Sequence, residues 1–529
     1  MAGRLGIDFG TSNTVIALWD ALAGEGKPLL IPDYSQLYPQ QGEAVAVIPS
    51  LIHYLPDGRR WIGAQVLRQN LLQAPHTFRW MKRYIAQRSP YRVRVGDRDL
   101  TPYDAAQDFL SAVLAFARQE AGGDPDEEVA FSVPVEAFEY YEDWLTRVAQ
   151  QSGMPRFRLI DEPSAAALGY GANIRPGDVY LIFDFGGGTV HAAVVLIEES
   201  DDVTNGRRCR VLGKAGADLG GAVLDQWLFM DVLRRNQRAE SDELVRRVSN
   251  WLLVECENAK IQLSTQPQAT ISVIDPQSGA VLAAEYTRAQ FEALLESHGA
   301  LTTIERTLRR ALNGAYERGY DEDRIKAVLM VGGSSQIPVI QSLLQRSFGT
   351  ERVQLQRPLD AIARGTAAFV AGMDFYDHIQ HSYAIRYLNR EKQDYDYWVI
   401  VERGTPYPAE AIARLTVKAS YDQQTHLGVA IFEVSEVRAN AAGAFELVFD
   451  PSGAARLTPA SAEDQYRRQY FWMNETQPTF LVADPPARQG EKCFEVVFSI
   501  DANKRLLLTA RDLRSGKLVY QNYPVVRLT

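Results

Sequence analysis

The chain has 529 residues, 46% of them hydrophobic and 23% charged, with a formal net charge of −10. That length exceeds what one hydrophobic core supports and implies roughly two to four domains. The composition excludes a disordered or fibrous chain, and the acidic balance argues against a nucleic-acid partner, which would select basic surface. Cys209, Cys256 and Cys493 are too scattered for a disulfide framework or a zinc site and point to a reducing compartment. The N-terminus enters a strand pattern at once, with no apolar leader, and no later stretch is apolar for long enough to span a bilayer. A cytoplasmic protein with no membrane partner is expected.

Taken in chain order, short β-rich runs alternate with longer helical patterns, which reads as α/β. Arg4–Phe9 reads as a buried strand, and Thr14–Trp19 as the next. Tyr103–Glu120 carries helical spacing, Val129–Val133 reads as a strand, and Val179–Phe183 and His191–Ile197 as two more. Leu301–Tyr316 puts Ile304, Leu308, Leu312 and Ala315 on one helical face. Ala327–Val331 is a further strand, and Pro338 opens a helix over Val339–Phe348. From about Ser382 the pattern turns to short strands, at Tyr397–Val401, Gly428–Val434, Phe494–Ile500 and Leu506–Ala510, with a turn at Asp512–Gly516. Ala439–Gly453 and Asp484–Gly490 read as loops. This C-terminal part is expected to be all-β.

Three glycine-bearing segments carry chemistry. Asp8-Phe9-Gly10-Thr11-Ser12-Asn13 follows the first strand, and another strand comes after it. Gly10 permits a tight turn and close approach to a ligand. Thr11, Ser12 and Asn13 offer donors to phosphate oxygens, and Asp8 can hold a hydrated divalent metal. Alone, this also reads as a plain hairpin turn. Asp184-Phe185-Gly186-Gly187-Gly188-Thr189 repeats the arrangement: strand, Asp-Phe-Gly, hydroxyl residue, strand. Three successive glycines are costly in chain entropy, and close passage of a polyphosphate explains them. The pair predicts a duplicated fold with a nucleotide in the cleft between the halves. Val331-Gly332-Gly333-Ser334-Ser335 is a third Gly-rich turn, leading to a helix that could face a nucleoside. No Walker A pattern is present.

In order and spacing, these segments resemble the heat-shock protein 70 family. Asp161-Glu162-Pro163-Ser164-Ala165-Ala166-Ala167 resembles that family's asparagine-glutamate-proline-threonine-alanine segment. His76–Ile85 is similar to the segment carrying its catalytic lysine, Gly216–Leu224 to its loop near the phosphates, Glu257–Ser264 to its nucleoside-contacting helix, and Leu359-Asp360-Ala361 to a helix start at the adenine. Phe494–Val519 and Arg403–Pro408 resemble pieces of its peptide-binding domain.

The resemblance implies a fold: an actin-like α/β ATPase domain, ribonuclease-H-like and duplicated, over residues 1–372, a linker over 373–381, and an all-β sandwich over 382–529. It implies ATP/ADP and Mg²⁺ as cofactors, with K⁺ as a further candidate ion. Asp8, Glu162 and Asp184 would hold hydrated Mg²⁺ and position water. Gly10, Thr11, Ser12, Asn13, Gly186, Gly187, Gly188 and Thr189 would cradle phosphates. Lys82 would offset charge at the γ-phosphate. Gly220 and Gly221 would border the phosphate end, and Glu257, Lys260, Ser264, Gly332, Gly333, Ser334 and Asp360 would bind ribose and adenine.

The function implied is a slowly hydrolysing, ATP-dependent chaperone. It would bind extended, unfolded polypeptide, act as a monomer, and work with a co-chaperone or nucleotide-exchange factor. Its rivals are a nucleotide-bound scaffold without turnover and another actin-like phosphotransferase, such as a sugar kinase. The sequence also departs from the pattern. His191 stands where the family has an aspartate, Gln336 where it has an adenine-stacking arginine, and Met373–Gln380 is more aromatic than the family linker. No helical lid is expected after the last strand.

Overall fold

The computed structural model describes residues 4–40, 43–122, 128–134, 139–154, 156–170, 175, 177–198, 208–372, 374–376, 379, 381–389, 394–405, 407, 409–434, 445–449, 455–459, 470–474, 478–501 and 505–528. The chain divides into two compact units, one of Met1–Val135, Trp144–Tyr376 and Ala441–Pro459, the other of Glu136–Asp143, Asp377–Asn440 and Ala460–Thr529.

The first unit holds two large mixed sheets. In one, strands Phe157–Asp161, Val129–Val133, Leu5–Phe9, Asn13–Asp20, Glu43–Pro49 and Gln36–Gln40 lie side by side. In the other the order is Val353–Gln354, Ile325–Val331, Val179–Phe185, Val190–Glu198, Arg208–Ala217 and Asp374–Tyr376. The two share a plan. Each has an antiparallel hairpin, Leu5–Phe9 with Asn13–Asp20 or Val179–Phe185 with Val190–Glu198. Each also pairs the hairpin's first strand in parallel with a later one, Val129–Val133 or Ile325–Val331. Register repeats as well: Phe9 pairs with Thr14, and Phe185 with Val190. Strands Leu5–Phe9, Val129–Val133 and Val179–Phe185 are buried at every position, as continuous apolar runs in interior strands should be.

Helices Glu162–Gly169 and Ala361–Val370 cross at the centre of this unit. A Cβ on Gly169 would collide with the Ala361 carbonyl, and one on Gly365 with the Ala165 carbonyl. Glycine is therefore required at both crossing points, because backbone meets backbone there. Ala165, Ala166, Ala167, Phe369 and Val370 join Ile182, Val195, Leu329 and Val331 in one core. Asp374–Tyr376 lies within the stretch read as linker, yet it adds in parallel to the second sheet beside Arg208–Arg210. Among the described residues, no helix is long and apolar enough to cross a membrane.

The second unit is built from antiparallel sheets around one core. One sheet orders Asp394–Val401, Ser382–Asn389, Ile431–Val434 and Tyr470–Trp472; another orders Ala409–Lys418, Lys492–Ile500, Arg505–Asp512 and Leu518–Arg527. Inward residues such as Tyr383, Val401, Leu427, Phe494, Val496, Phe498, Leu506 and Leu508 form the core. They alternate with more exposed positions, the period-two pattern of a strand with one buried face.

Three sequence expectations change here. Gly428–Val434 is not one strand. Gln424–Val429 pairs with Thr479–Ala487, whereas Ile431–Val434 pairs with Ser382–Asn389, so the chain changes sheets at Ala430. Buried Asn474 holds this corner. Its Nδ2 donates to Val429 O (2.7 Å), and its Oδ1 accepts from Ile431 N (3.0 Å) and Trp472 Nε1 (3.0 Å). Within Asp484–Gly490, residues up to Ala487 are strand, because Thr479–Ala487 pairs on one side only and tolerates its prolines there. Within Ala439–Gly453, Phe445–Phe449 is a strand paired with Ala455–Pro459; its other residues and Cys209's side chain lie outside the described residues. Cys256 and Cys493 are buried free thiols.

Candidate nucleotide site

Two hairpin turns face each other at the ends of their strands. At the first, a Cβ on Gly10 would collide with Asn13 O. Ser50 supports this turn: its Oγ donates to Gly10 O (2.8 Å), and its N–H donates to Ser12 O (2.9 Å). At the second, Gly186 N donates to Thr189 O (3.1 Å). The Gly220–Gly221 loop braces it through Gly221 N to Gly186 O (3.0 Å) and Ala222 N to Gly187 O (2.8 Å). Ser334 Oγ adds a bond to Gly186 O (2.9 Å). A Cβ on Gly187 would sit 2.5 Å from Ser12 Oγ, and one on Gly188 2.5 Å from Thr11 Oγ1. The glycines of one turn thus meet the hydroxyls of the other, and an added Cβ would displace the Ser12 or Thr11 side chain. Backbone N–H groups and hydroxyls crowded this way suit oxyanions.

Beneath the turns lies a buried charge cluster. Trp80 takes a left-handed conformation (φ 57°) just before the helix Met81–Ala86, which carries Lys82 inward. Lys82 is buried, not solvated, and its ammonium donates to Glu162 Oε1. Glu162 opens its helix, where Asp161 caps the N-terminus by accepting from Ser164 N (3.1 Å). Lys214 in turn pairs with Asp161 at 3.1 Å. Ser132 Oγ donates to Asp8 Oδ1 (2.8 Å). Burial pushes the Asp8 carboxyl up to about 6; the Lys82 ammonium opposes that rise and the Glu162 charge adds to it. Burial, then the charges of Glu162 and Asp8, hold the Asp184 carboxyl well above the ordinary carboxylate range. When ionised, Asp8, Glu162 and Asp184 outnumber the single Lys82 ammonium among them. A hard cation with oxygen ligands fits such a donor set.

The expected nucleoside end is less uniform. Lys260 is buried and fixed by Asp225 (2.8 Å) and by donation to Gly221 O (3.1 Å), which places it beside the phosphate turns. Burial pushes the Asp225 carboxyl up to about 7 despite that partner. Glu257 is half-buried, with Arg79 and Asp225 among its charged neighbours. Ser264 Oγ turns back to Lys260 O (3.1 Å). Gly332 takes φ +82°, and a Cβ there would collide with the Phe185 backbone, so it locks the third turn onto the second hairpin. Gly333 faces open space. Asp360 has an internal role: it accepts from Gln40 Nε2 (2.8 Å) and from Arg364, and is fully buried.

Ser132 and Asp225 escaped the motif reading. Asp225 follows Gly216–Leu224 directly. A carboxylate directly after the apolar residues Ala222–Leu224 was the available signal. Ser132 had none, because only the parallel pairing of Val129–Val133 with Leu5–Phe9 brings it to Asp8.

The family model described as Hsp70 protein matches residues 4–375. The chain belongs to the heat-shock protein 70 family. Among its curated relatives in Hsp70, Chaperone protein DnaK 3 of Synechococcus sp. is 27% identical, with 98% of this chain and 75% of the relative covered. Chaperone protein dnaK1 of Synechococcus elongatus is 26% identical over the same shares. Within this Hsp70 chain both hairpin turns, Lys82 and the three carboxylates fall in one compact unit. Hsp70 proteins are ATPases that bind ATP or ADP with Mg²⁺, and the crowded turns and the carboxylates around Lys82 are compatible with such a ligand.

Proposed function

We infer that the chain is an ATP-dependent molecular chaperone that binds MgATP between the turns Gly10–Asn13 and Gly186–Thr189 and hydrolyses it slowly. The observation that carries this reading is the meeting of Gly187 and Gly188 with Ser12 and Thr11, directly above the buried set Asp8, Lys82, Glu162 and Asp184.

In this reading residues 1–372 are an actin-like nucleotide-binding domain, 373–381 a linker and 382–529 a β-sandwich that binds extended polypeptide. Mg²⁺, when bound, neutralises phosphate charge. Asp8, Glu162 and Asp184 would hold it through water. Lys82 screens negative charge at the transferred phosphoryl group and keeps Glu162 oriented. Thr189 and the glycine N–H groups fix the phosphate chain, which shortens the search for an in-line geometry. Lys260, Glu257 and Ser264 line the ribose side. Asp360 acts behind the adenine by fixing Arg364 and Gln40. In the β-domain, strand edges would supply main-chain hydrogen bonds to a peptide. A cytoplasmic monomer served by a co-chaperone or exchange factor completes the proposal.

The test is single-turnover hydrolysis of MgATP by the full chain, alone and with apolar peptides, beside Lys82→Ala. Slow turnover that peptide accelerates and the variant loses is the expected result. Tight ATP binding with no turnover under any condition would overturn the enzymatic part.

A further inference from the structure

Asp184 and His191 are register partners on strands Val179–Phe185 and Val190–Glu198. Glu162 reaches the same spot from its helix. All three side chains are buried, and His191 is 0% exposed. One donor atom from each lies within 4.8 Å of the other two. His191 Nδ1 stands 3.6 Å from Glu162 Oε2, while the other Glu162 oxygen accepts from Lys82. Ligand atoms on one divalent ion with bonds of about 2.1 Å stand roughly 3–4.3 Å apart. A small contraction therefore brings all three onto a single ion.

The histidine is not dictated by the duplicated fold. At the matching register position of the first hairpin, Asp8 pairs with Val15. The second hairpin alone carries a nitrogen donor there.

We propose that Glu162, Asp184 and His191 form a direct-ligand site for a first-row transition divalent ion of the Zn²⁺ or Co²⁺ type, taken in preference to Mg²⁺. An imidazole nitrogen beside carboxylates suits such ions, whereas Mg²⁺ prefers oxygen and keeps its waters. The site is a property of the nucleotide-free chain and does not rest on the ATP reading.

The experiment titrates the nucleotide-free full chain with Co²⁺ and follows its visible absorption. One equivalent is expected to produce a band that survives about a hundredfold excess of Mg²⁺ and is bleached by Zn²⁺. His191→Asp is expected to weaken Co²⁺ binding at least about tenfold, and His191→Asn likewise. Displacement of Co²⁺ by comparable Mg²⁺ would overturn the proposal, as would both variants keeping their Co²⁺ affinity. Should neither variant fold, chain labelled with ¹⁵N-histidine decides: stoichiometric Co²⁺ must broaden a buried imidazole signal, and broadening confined to exposed histidines counts against the site. ATP affinity measured separately in Mg²⁺ keeps failure of this proposal distinct from failure of the nucleotide reading.

Discussion

The Lys82 ammonium and the Glu162 carboxylate form an ion pair inside the first unit, with both side chains less than a tenth exposed. They come from separate helices, Met81–Ala86 and Glu162–Gly169. Removing one partner of a buried pair leaves an uncompensated charge and costs about 3–5 kcal/mol. Lys82→Met is therefore expected to lower the melting temperature and to cut hydrolysis at least roughly tenfold. Lys82→Met combined with Glu162→Gln should recover most of the stability and none of the turnover. Calorimetry of the four forms of this cycle checks it, and additive losses would show that the pair is not coupled.

Asp8 makes stability depend on pH. Its carboxyl is raised from the ordinary 3.8 to about 6 by burial. The folded protein holds that proton where the unfolded chain has lost it. Its stabilising share is complete below about pH 4 and fades as pH rises through about 6. A shift of this size corresponds to about 2–3 kcal/mol. Asp8→Asn should gain stability relative to the parent as pH rises from about 4 to 6, then hold a constant advantage. Denaturant unfolding across that range, without metal or nucleotide, measures the difference; parallel curves would refute the assignment.

Two glycine substitutions should fail in different ways. A Cβ on Gly187 meets the end of the Ser12 side chain, which can rotate away. Gly187→Ala should cost under about 1 kcal/mol of stability yet weaken ATP binding at least about tenfold, because the methyl group fills the space between the turns. A Cβ on Gly365 meets the backbone of Ala165, which cannot yield. Gly365→Ala should destabilise by about 3 kcal/mol or more. Melting curves and ATP titrations on both variants separate the two effects.

In the second unit, Asn474 satisfies Val429 O, Ile431 N and Trp472 Nε1 where the chain changes sheets. Asn474→Leu strands these buried groups and should cost about 2–4 kcal/mol. The loss should appear in unfolding of the β-rich unit, with MgATP affinity unchanged. An unaltered melting profile would mean that water replaces the amide.

Much of this protein was legible in its sequence because the determining interactions are local. Each Asp-Phe-Gly turn follows an apolar strand, since a glycine turn and a strand's alternation are fixed by neighbouring residues. The repeat of that unit announced the duplicated sheets, and the family's motifs placed Lys82, Glu162 and Asp184 as candidates. What the sequence could not determine depends on pairing between distant segments. Nothing local tells that Ser132 meets Asp8, that Lys260 is held by Asp225, or that Asp360 serves Arg364 and Gln40. The single apolar run Gly428–Val434 hides its break because both halves are β-formers, and only the sheets they join distinguish them. Likewise, His191 was legible as a departure, but its place among the carboxylates was not. Register across Val179–Phe185 and the helix bearing Glu162 put it there. Burial, which sets the charge balance of the whole site, belongs to the tertiary structure alone, because it arises only when both sheets and both crossing helices close around it.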